Sequence, residues 1–403
     1  MESRIFSELE RLAWTAGADT VAQTSQKLDS PNPRTFVGSG KAEEIASLAR
    51  SYAADVVIFD DELTPSQQSN LEKVVGKDVK VIDRTALILD IFALHAASKE
   101  GRLQVRLAQN QYLYPRLRGM WAHLASNRMG GGVGSRFGEG ESQLEVDRRL
   151  IRNRITSIRR ELALLSKKRD LQRKQRKESG IYKVALAGYT NAGKSSLLNA
   201  ITGSEVLSYD KLFATLDSTT RQLVLPEGRE VTLTDTVGFI QKLPTTLVEA
   251  FKSTLDEING ADLILHVVDS SDPNADRQID AVNMVLEQIG AEEIGRVEVF
   301  NKKDLLLPEQ YEALTIRYPN AVFTSTVTRD GINDLVSRIG LVASSQEEIL
   351  ELLIPYNRGD LVSFAHQRCT IMNEEYTDTG TLLMVRAGAQ AVAKLKGFSC
   401  VAE

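Results

Sequence analysis

The chain has 403 residues, 42% hydrophobic and 26% charged, a composition that suits a globular protein of roughly two to four domains. A net charge of −5 excludes a molecule that is basic throughout, so any nucleic-acid surface must be local. Two cysteines, Cys369 and Cys400, exclude a disulfide framework, four scattered histidines offer no zinc site, and no run approaches the ~18 apolar residues of a membrane span.

In chain order, Met1-Glu2-Ser3-Arg4-Ile5 lacks an apolar signal core, so the expected location is the cytoplasm. Thr35–Gly38 reads as a short strand, Lys41–Ser51 as a helix and Val56–Asp60 as an apolar strand. Thr64-Pro65-Ser66 reads as a cap and first turn of a helix reaching Val75, followed by a strand at Val79–Ile82 and a helix over 84–97. Strands alternating with helices predict a small parallel α/β domain. Gly38-Ser39-Gly40-Lys41 has the wrong spacing for a phosphate loop and reads as a turn before a helix.

Residues 100–129 read as helical, basic and aromatic, carrying Arg102, Arg106, Arg116, Arg118 and Arg128 with Tyr112, Tyr114 and Trp121. Guanidinium groups beside flat rings suit RNA, and a core helix with solvated arginines explains the same composition. The glycine-dense run 130–140 predicts a flexible segment. From Leu144 to Arg176 a long helix or helix pair is expected, with Ile151, Ile155, Ile158, Leu162 and Leu165 on one seam. Between Arg148 and Lys177 thirteen Lys/Arg face two acids, Glu161 and Asp170, which favours a phosphate-binding helix face over a merely solvated one.

The apolar strand Tyr182–Ala187 runs into Gly188-Tyr189-Thr190-Asn191-Ala192-Gly193-Lys194-Ser195, the pattern G-x-x-x-x-G-K-S, with a helix expected to Thr202. The two glycines let backbone N–H groups turn inward around a phosphate chain. Lys194 adds a charge near the outer phosphates, Ser195 offers a hydroxyl to Mg2+, and the helix N-terminus favours the same anions. Phe213-Ala214-Thr215-Leu216-Asp217 supplies a threonine able to close over the metal. Asp235-Thr236-Val237-Gly238 ends the strand Val231–Thr234; Asp235 can hold Mg2+ through water, and the Gly238 N–H can sense a γ-phosphate. Asn301-Lys302-Lys303-Asp304 follows the strand Val297–Phe300. The Asp304 carboxylate can accept from N1–H and N2–H of guanine, and as a buried acceptor it would reject adenine, which has no matching donor pair. GTP and GDP are thus the expected ligands and a P-loop ATPase is disfavoured.

Further strands are expected at Arg221–Leu225, Leu263–Asp269 and Ala321–Thr324, with helices at Thr245–Ile258, Ala275–Ile289, Glu309–Ile316 and Ile332–Ile339. The tail reads as strands Glu348–Ile354 and Leu382–Val385 with a helix over 358–367, and carries no visible chemistry. The expected architecture is α/β: a P-loop GTPase domain with a mostly parallel sheet and helices on both faces, an N-terminal α/β domain, a basic helical linker and a small α+β C-terminal domain. The boundaries are 1–140, 141–180, 181–343 and 344–403.

These motifs resemble the HflX family of ribosome-associated GTPases. The likeness rests on the four nucleotide motifs, on Gly38-Ser39-Gly40-Lys41, and on Gln143-Leu144-Glu145 with Asp147-Arg148-Arg149. The family implies GTP hydrolysis coupled to binding the large ribosomal subunit, contact with its rRNA, and splitting of stalled or idle 70S ribosomes by a protein acting as a monomer. The alternative is an RNA-binding maturation factor for which GTP is a switch or structural ligand. Two stretches depart from the family pattern: Arg136 to Glu145 replaces its usual Arg-Gly-Pro-Gly-Glu-Thr-Gln-Leu-Glu, and Ser325-Thr326-Val327 stands where the guanine loop usually reads Ser-Ala. The backbone N–H that meets guanine O6 survives the second change.

In many GTPases a glutamine directly after D-x-x-G orients the attacking water. Here that residue is Phe239, which predicts slow intrinsic turnover resting on Lys194, on Mg2+ at Ser195 and Thr215, and on backbone donors such as Gly238. Asn191 resembles the P-loop asparagine that helps coordinate K+ in some related GTPases.

Overall fold

The structure, a computed structural model, describes residues 2–117, 137–178, 181–203, 213, 218–241, 252–345 and 347–400. Packing divides the chain into two units. The first comprises Met1–Ser166, Ser208–Asp217 and Val237–Leu255; the second comprises Lys167–Leu207, Ser218–Thr236 and Asp256–Glu403. The division cuts across the expected 181–343 segment, because two stretches after the nucleotide motifs pack with the N-terminal residues.

The first unit opens on α1 (Glu2–Thr15), a helix the sequence reading did not single out. Then follow α2 (Ser39–Ser51), β1 (Val56–Phe59), α3 (Pro65–Val75), β2 (Lys80–Asp83), α4 (Arg84–His95) and α5 (Lys99–Leu113). The expected strand at Thr35–Gly38 is only an isolated bridge between Asn32 and Phe36. The glycine-lysine turn is the start of α2, with Gly38 at its N-cap and Lys41 Nζ bonded to Thr24 at 2.7 Å and Glu44 at 2.9 Å. Thr64 caps α3 through a reciprocal bond pair with Gln67, as its Thr-Pro start suggested. β1 and β2 pair in parallel, and Val37, Ala42, Leu63, Leu71, Val75 and Val81 form the core beneath them.

In the basic, aromatic stretch, which suits RNA or a core helix by composition, Tyr112 and Arg116 turn inward. Asp83, fully buried, caps α4 at Ala86 N (2.9 Å) and accepts from Leu63 N (3.1 Å), Tyr112 Oη (2.9 Å) and Arg116 Nη2 (3.2 Å). Tyr112 and Arg116 therefore complete a buried carboxylate's hydrogen bonds, while Arg102 and Arg106 stay exposed. Arg118, Trp121, Arg128 and residues 130–136 lie outside the described residues. Residues 137–140, expected in the glycine-rich segment, are the first turn of α6 (Phe137–Glu178), one continuous helix of 42 residues. Its seam residues Ile155, Ile158, Leu162 and Leu165 pack on Leu103 and Leu107 of α5. Arg149, Arg152, Arg154, Arg159, Arg160 and Lys167 are exposed along it.

In the second unit β3 (Tyr182–Gly188), α7 (Lys194–Thr202), β4 (Thr219–Val224), β5 (Glu230–Asp235), α8 (Lys252–Asn259), β6 (Leu263–Asp269), α9 (Ala275–Gln288), β7 (Arg296–Asn301), α10 (Pro308–Arg317), β8 (Val322–Phe323) and α11 (Ile332–Ser345) build a six-stranded sheet; the start of α8 belongs to the first unit. The strand order is β4-β5-β3-β6-β7-β8, antiparallel only at β4. Alternation along the strands gives both faces a core. Val267 and Val299 meet α7 and α11 residues such as Leu197 and Leu335, whereas Val268 and Phe300 meet Ile279 of α9 and Leu314 of α10. Helices therefore cover both faces of a mostly parallel sheet, as expected.

The tail forms an antiparallel sheet, β10 (Thr370–Tyr376), β11 (Gly380–Ala387) and β9 (Glu348–Pro355), in that order. Helices α12 (Gly359–Arg368) and α13 (Ala389–Leu395) close one side over Leu352, Ile354, Leu383 and Val385. β10 and α13 escaped the sequence reading: exposed, polar β10 has no apolar alternation to betray it.

Within the first unit, α4 holds both of the stretches that come from later in the chain. The Phe213 ring packs edge-on against Phe92, with centroids 4.6 Å apart. Arg84 donates to the Gln241 carbonyl at 3.2 Å and pairs with Glu8 and, at 2.6 Å, with Asp60. Burial alone would depress the Arg84 guanidinium; its two carboxylate partners outweigh that and raise it. Replacing it leaves two acids without their cation, and Arg84→Met is expected to lower stability by about 3–5 kcal/mol. Urea unfolding followed by circular dichroism measures this; an unchanged midpoint rules the triad out as a support of the unit.

Candidate nucleotide site

Parallel pairing places the C-terminal ends of β3, β5, β6 and β7 along one edge of the sheet. The chain leaves β3 at Gly188, where a Cβ would collide with the Val267 carbonyl of β6, so no other residue fits the entry to the loop. At the loop's far end Gly193 has φ +89, and a Cβ there would strike the Asn301 side-chain nitrogen. Asn191, φ +62, adopts the left-handed conformation that asparagine tolerates.

Lys194 opens α7 and is buried, its Nζ donating to the carbonyls of Gly188 at 3.1 Å and Tyr189 at 2.8 Å. Burial lowers this ammonium to about 8, only partly offset by Asp235. Ser195 donates to Asp235 Oδ2 at 2.6 Å. Asp235 is 1% exposed at the end of β5, and the next residue, Thr236, donates to Leu186 O at 2.7 Å. A hydroxyl and a buried carboxylate beside the loop are hard oxygen donors, the set that fits Mg2+.

Asn301 ends β7 fully buried and donates from Nδ2 to Ala192 O at 3.0 Å, joining the N-K-x-D turn to the phosphate loop. Ser270 Oγ donates to Asn301 O at 2.6 Å. Lys302 takes φ +63 and pairs with Asp269 at 2.6 Å; Lys303 Nζ reaches Asp330 at 2.7 Å, and its backbone N reaches Thr324 O at 3.0 Å. Asp304 lies exposed in the turn Lys303–Leu305. The buried acceptor expected from the sequence is thus corrected: Asn301 is the buried residue of the motif, and Asp304 stands at its mouth. Ser325 is buried, while Thr326 is half-buried and Val327 exposed. Asp269, Ser270 and Asp330 were not anticipated; Asp269's place at a strand end was the available signal.

The second unit therefore gathers residues 188–195, 235–236, 301–304 and 325–327 of the expected site. Val237 and Gly238 belong to the first unit, as does Phe239, 1% exposed. Phe213, φ +57, is buried against Phe92 there, and Ala214, Thr215, Leu216 and Asp217 lie outside the described residues.

Residues 3–93 match a family described as GTP-binding GTPase N-terminal, 95–176 its GTP-binding GTPase Middle Region, and 183–302 a family described as 50S ribosome-binding GTPase. The chain is 46% identical over 397 residues to the GTPase HflX of Caldanaerobacter subterraneus subsp. tengcongensis, covering 98% of this chain and 90% of that one. It is 44% identical over 384 residues to the GTPase HflX of Escherichia coli, covering 94% and 88% respectively. A solved GTP-binding protein from Sulfolobus solfataricus, in complex with GDP, aligns at 22% identity with a TM-score of 0.44, over 85% of this chain and 96% of that one.

A phosphate chain stabilises the charged form of Lys194, which the ligand-free fold disfavours above about pH 8. Between that value and the ordinary lysine range, unfolded chain carries a proton that folded chain does not. Ligand-free stability contributed by Lys194 therefore rises with pH in this window, and nucleotide affinity falls. Calorimetry near pH 8 in buffers of different ionisation enthalpy should record proton uptake on GDP binding, and Lys194→Ala should abolish that uptake.

Proposed function

Because the chain belongs to the HflX family of GTPases, we propose that it binds the large ribosomal subunit in the GTP state, splits or rescues stalled or idle 70S ribosomes in that state, and is released by hydrolysis. It is a GTP hydrolase, and the Asn301 amide on the Ala192 carbonyl is the observation that supports the site assignment: it ties the 301–304 turn to the 188–195 loop. In this reading Asp304 accepts from the guanine edge, and backbone N–H groups of 190–195 and the Lys194 ammonium cradle the phosphates. Ser195 and Thr215 would hold Mg2+, with Asp235 assisting through water, and the ion would supply positive charge to the phosphates.

Phe239 offers no group to align water, which supports slow turnover by the protein alone and stimulation by ribosomes. Thr215 and Gly238 hold the flanking stretches only while a γ-phosphate is present, so nucleotide state sets partner affinity. The exposed arginines of α6 support an rRNA contact through phosphates. The proposed protein works as a cytoplasmic monomer with the four segments read from sequence; among the described residues no helix is long and apolar enough to cross a membrane. K+ beside Asn191 completes the proposed charge stabilisation.

Sedimentation of 70S particles with the protein tests the reading. GTP and a non-hydrolysable analogue should yield free subunits, with the protein retained on the large one under the analogue, while GDP should yield neither. Intact 70S particles under all three would reject splitting in favour of the maturation-factor alternative. In parallel, exchanging KCl for NaCl should lower the ribosome-stimulated rate of phosphate release; an equal rate removes K+.

A further inference from the structure

Thr190 is the third residue of the phosphate loop, and among the described residues its side chain makes no hydrogen bond. The residue is 6% exposed, and its Oγ1 has no hydrogen-bond partner among the described residues. A buried unpaired hydroxyl is destabilising, and valine would fill the same space without that penalty. The neighbouring polar groups are committed: Lys194 takes the carbonyls of Gly188 and Tyr189, and Asn301 takes that of Ala192.

These contacts also orient the loop. Ala192 and Gly193 lie at the base-reading end, beside Asn301. Gly188 and Tyr189 lie beside the tip of Lys194, the group that reaches the β- and γ-phosphates in a G-x-x-x-x-G-K-S loop. Thr190 directly follows Tyr189 in the chain. Phe239, the residue after D-x-x-G, supplies no polar side chain toward a terminal phosphate.

We propose that the Thr190 hydroxyl donates a hydrogen bond to the terminal phosphate of GTP and is a specificity residue that makes the loop prefer GTP to GDP. The inference rests on reading 188–195 as the triphosphate loop. It assigns the side chain a duty beyond that of its backbone N–H: the hydroxyl is desolvated in advance, so its bond to a charged oxygen displaces no water.

The test measures binding of fluorescently labelled GDP and of a labelled non-hydrolysable GTP analogue to full-length wild type, Thr190→Val and Thr190→Ser, with thermal melting of each ligand-free protein. Thr190→Val should bind the analogue about tenfold more weakly, bind GDP as wild type does, and melt no lower than wild type. Thr190→Ser should keep the wild-type preference. Equal losses for both nucleotides, a lowered ligand-free melting temperature, or unchanged analogue affinity would each overturn the proposal. A wild-type chain that bound neither nucleotide would instead overturn the loop assignment beneath it.

Discussion

The nucleotide site depends on one buried amide. Asn301 sits at the end of β7 with no solvent exposure, and its Nδ2 must find an acceptor inside the protein. It finds the Ala192 carbonyl, in a loop that makes neither helix nor sheet. The bond holds only because Gly193 has no Cβ where the Asn301 nitrogen lies. Two segments more than a hundred residues apart are thereby fixed relative to each other.

The rest of the site follows from the sheet. Parallel pairing of β5, β3, β6 and β7 brings their C-terminal ends to a common edge, so Asp235, Gly188, Asp269 and Asn301 each terminate a strand there. Nearby cations are paired within the protein, Lys302 with Asp269 and Lys303 with Asp330, and Ser195 donates to Asp235. Lys194 is the exception. Its ammonium rests on two backbone carbonyls with its carboxylate neighbour only partly offsetting burial, which leaves it suited to an anion.

The first unit shows a different economy of the same residue types. Tyr112 and Arg116, an aromatic and a cation that suited RNA on composition, complete the hydrogen bonds of buried Asp83. Arg84 is held between Glu8 and Asp60 and reaches the Gln241 carbonyl. Phe92 receives the Phe213 ring. Phe213 and Gln241, which flank the nucleotide motifs in sequence, thus meet α4.

Local chemistry alone determined the nucleotide elements: the strand before Gly188, the loop spacing, the Thr-Pro cap of α3 and the apolar runs of β6 and β7 each carry a short-range signal in neighbouring residues. The family resemblance followed from four such signals in order, joined to Gly38-Ser39-Gly40-Lys41 and to Gln143-Leu144-Glu145 with Asp147-Arg148-Arg149. Tertiary structure alone decided which polar groups are buried and who satisfies them. Nothing in Asn-Lys-Lys-Asp says that Asn301 rather than Asp304 lies inside, nothing near Tyr112 points to Asp83, and nothing near Phe213 points to Phe92. Helix and strand periodicity arise between residues a few positions apart, whereas burial and hydrogen-bond satisfaction are set between residues that only the folded chain makes neighbours.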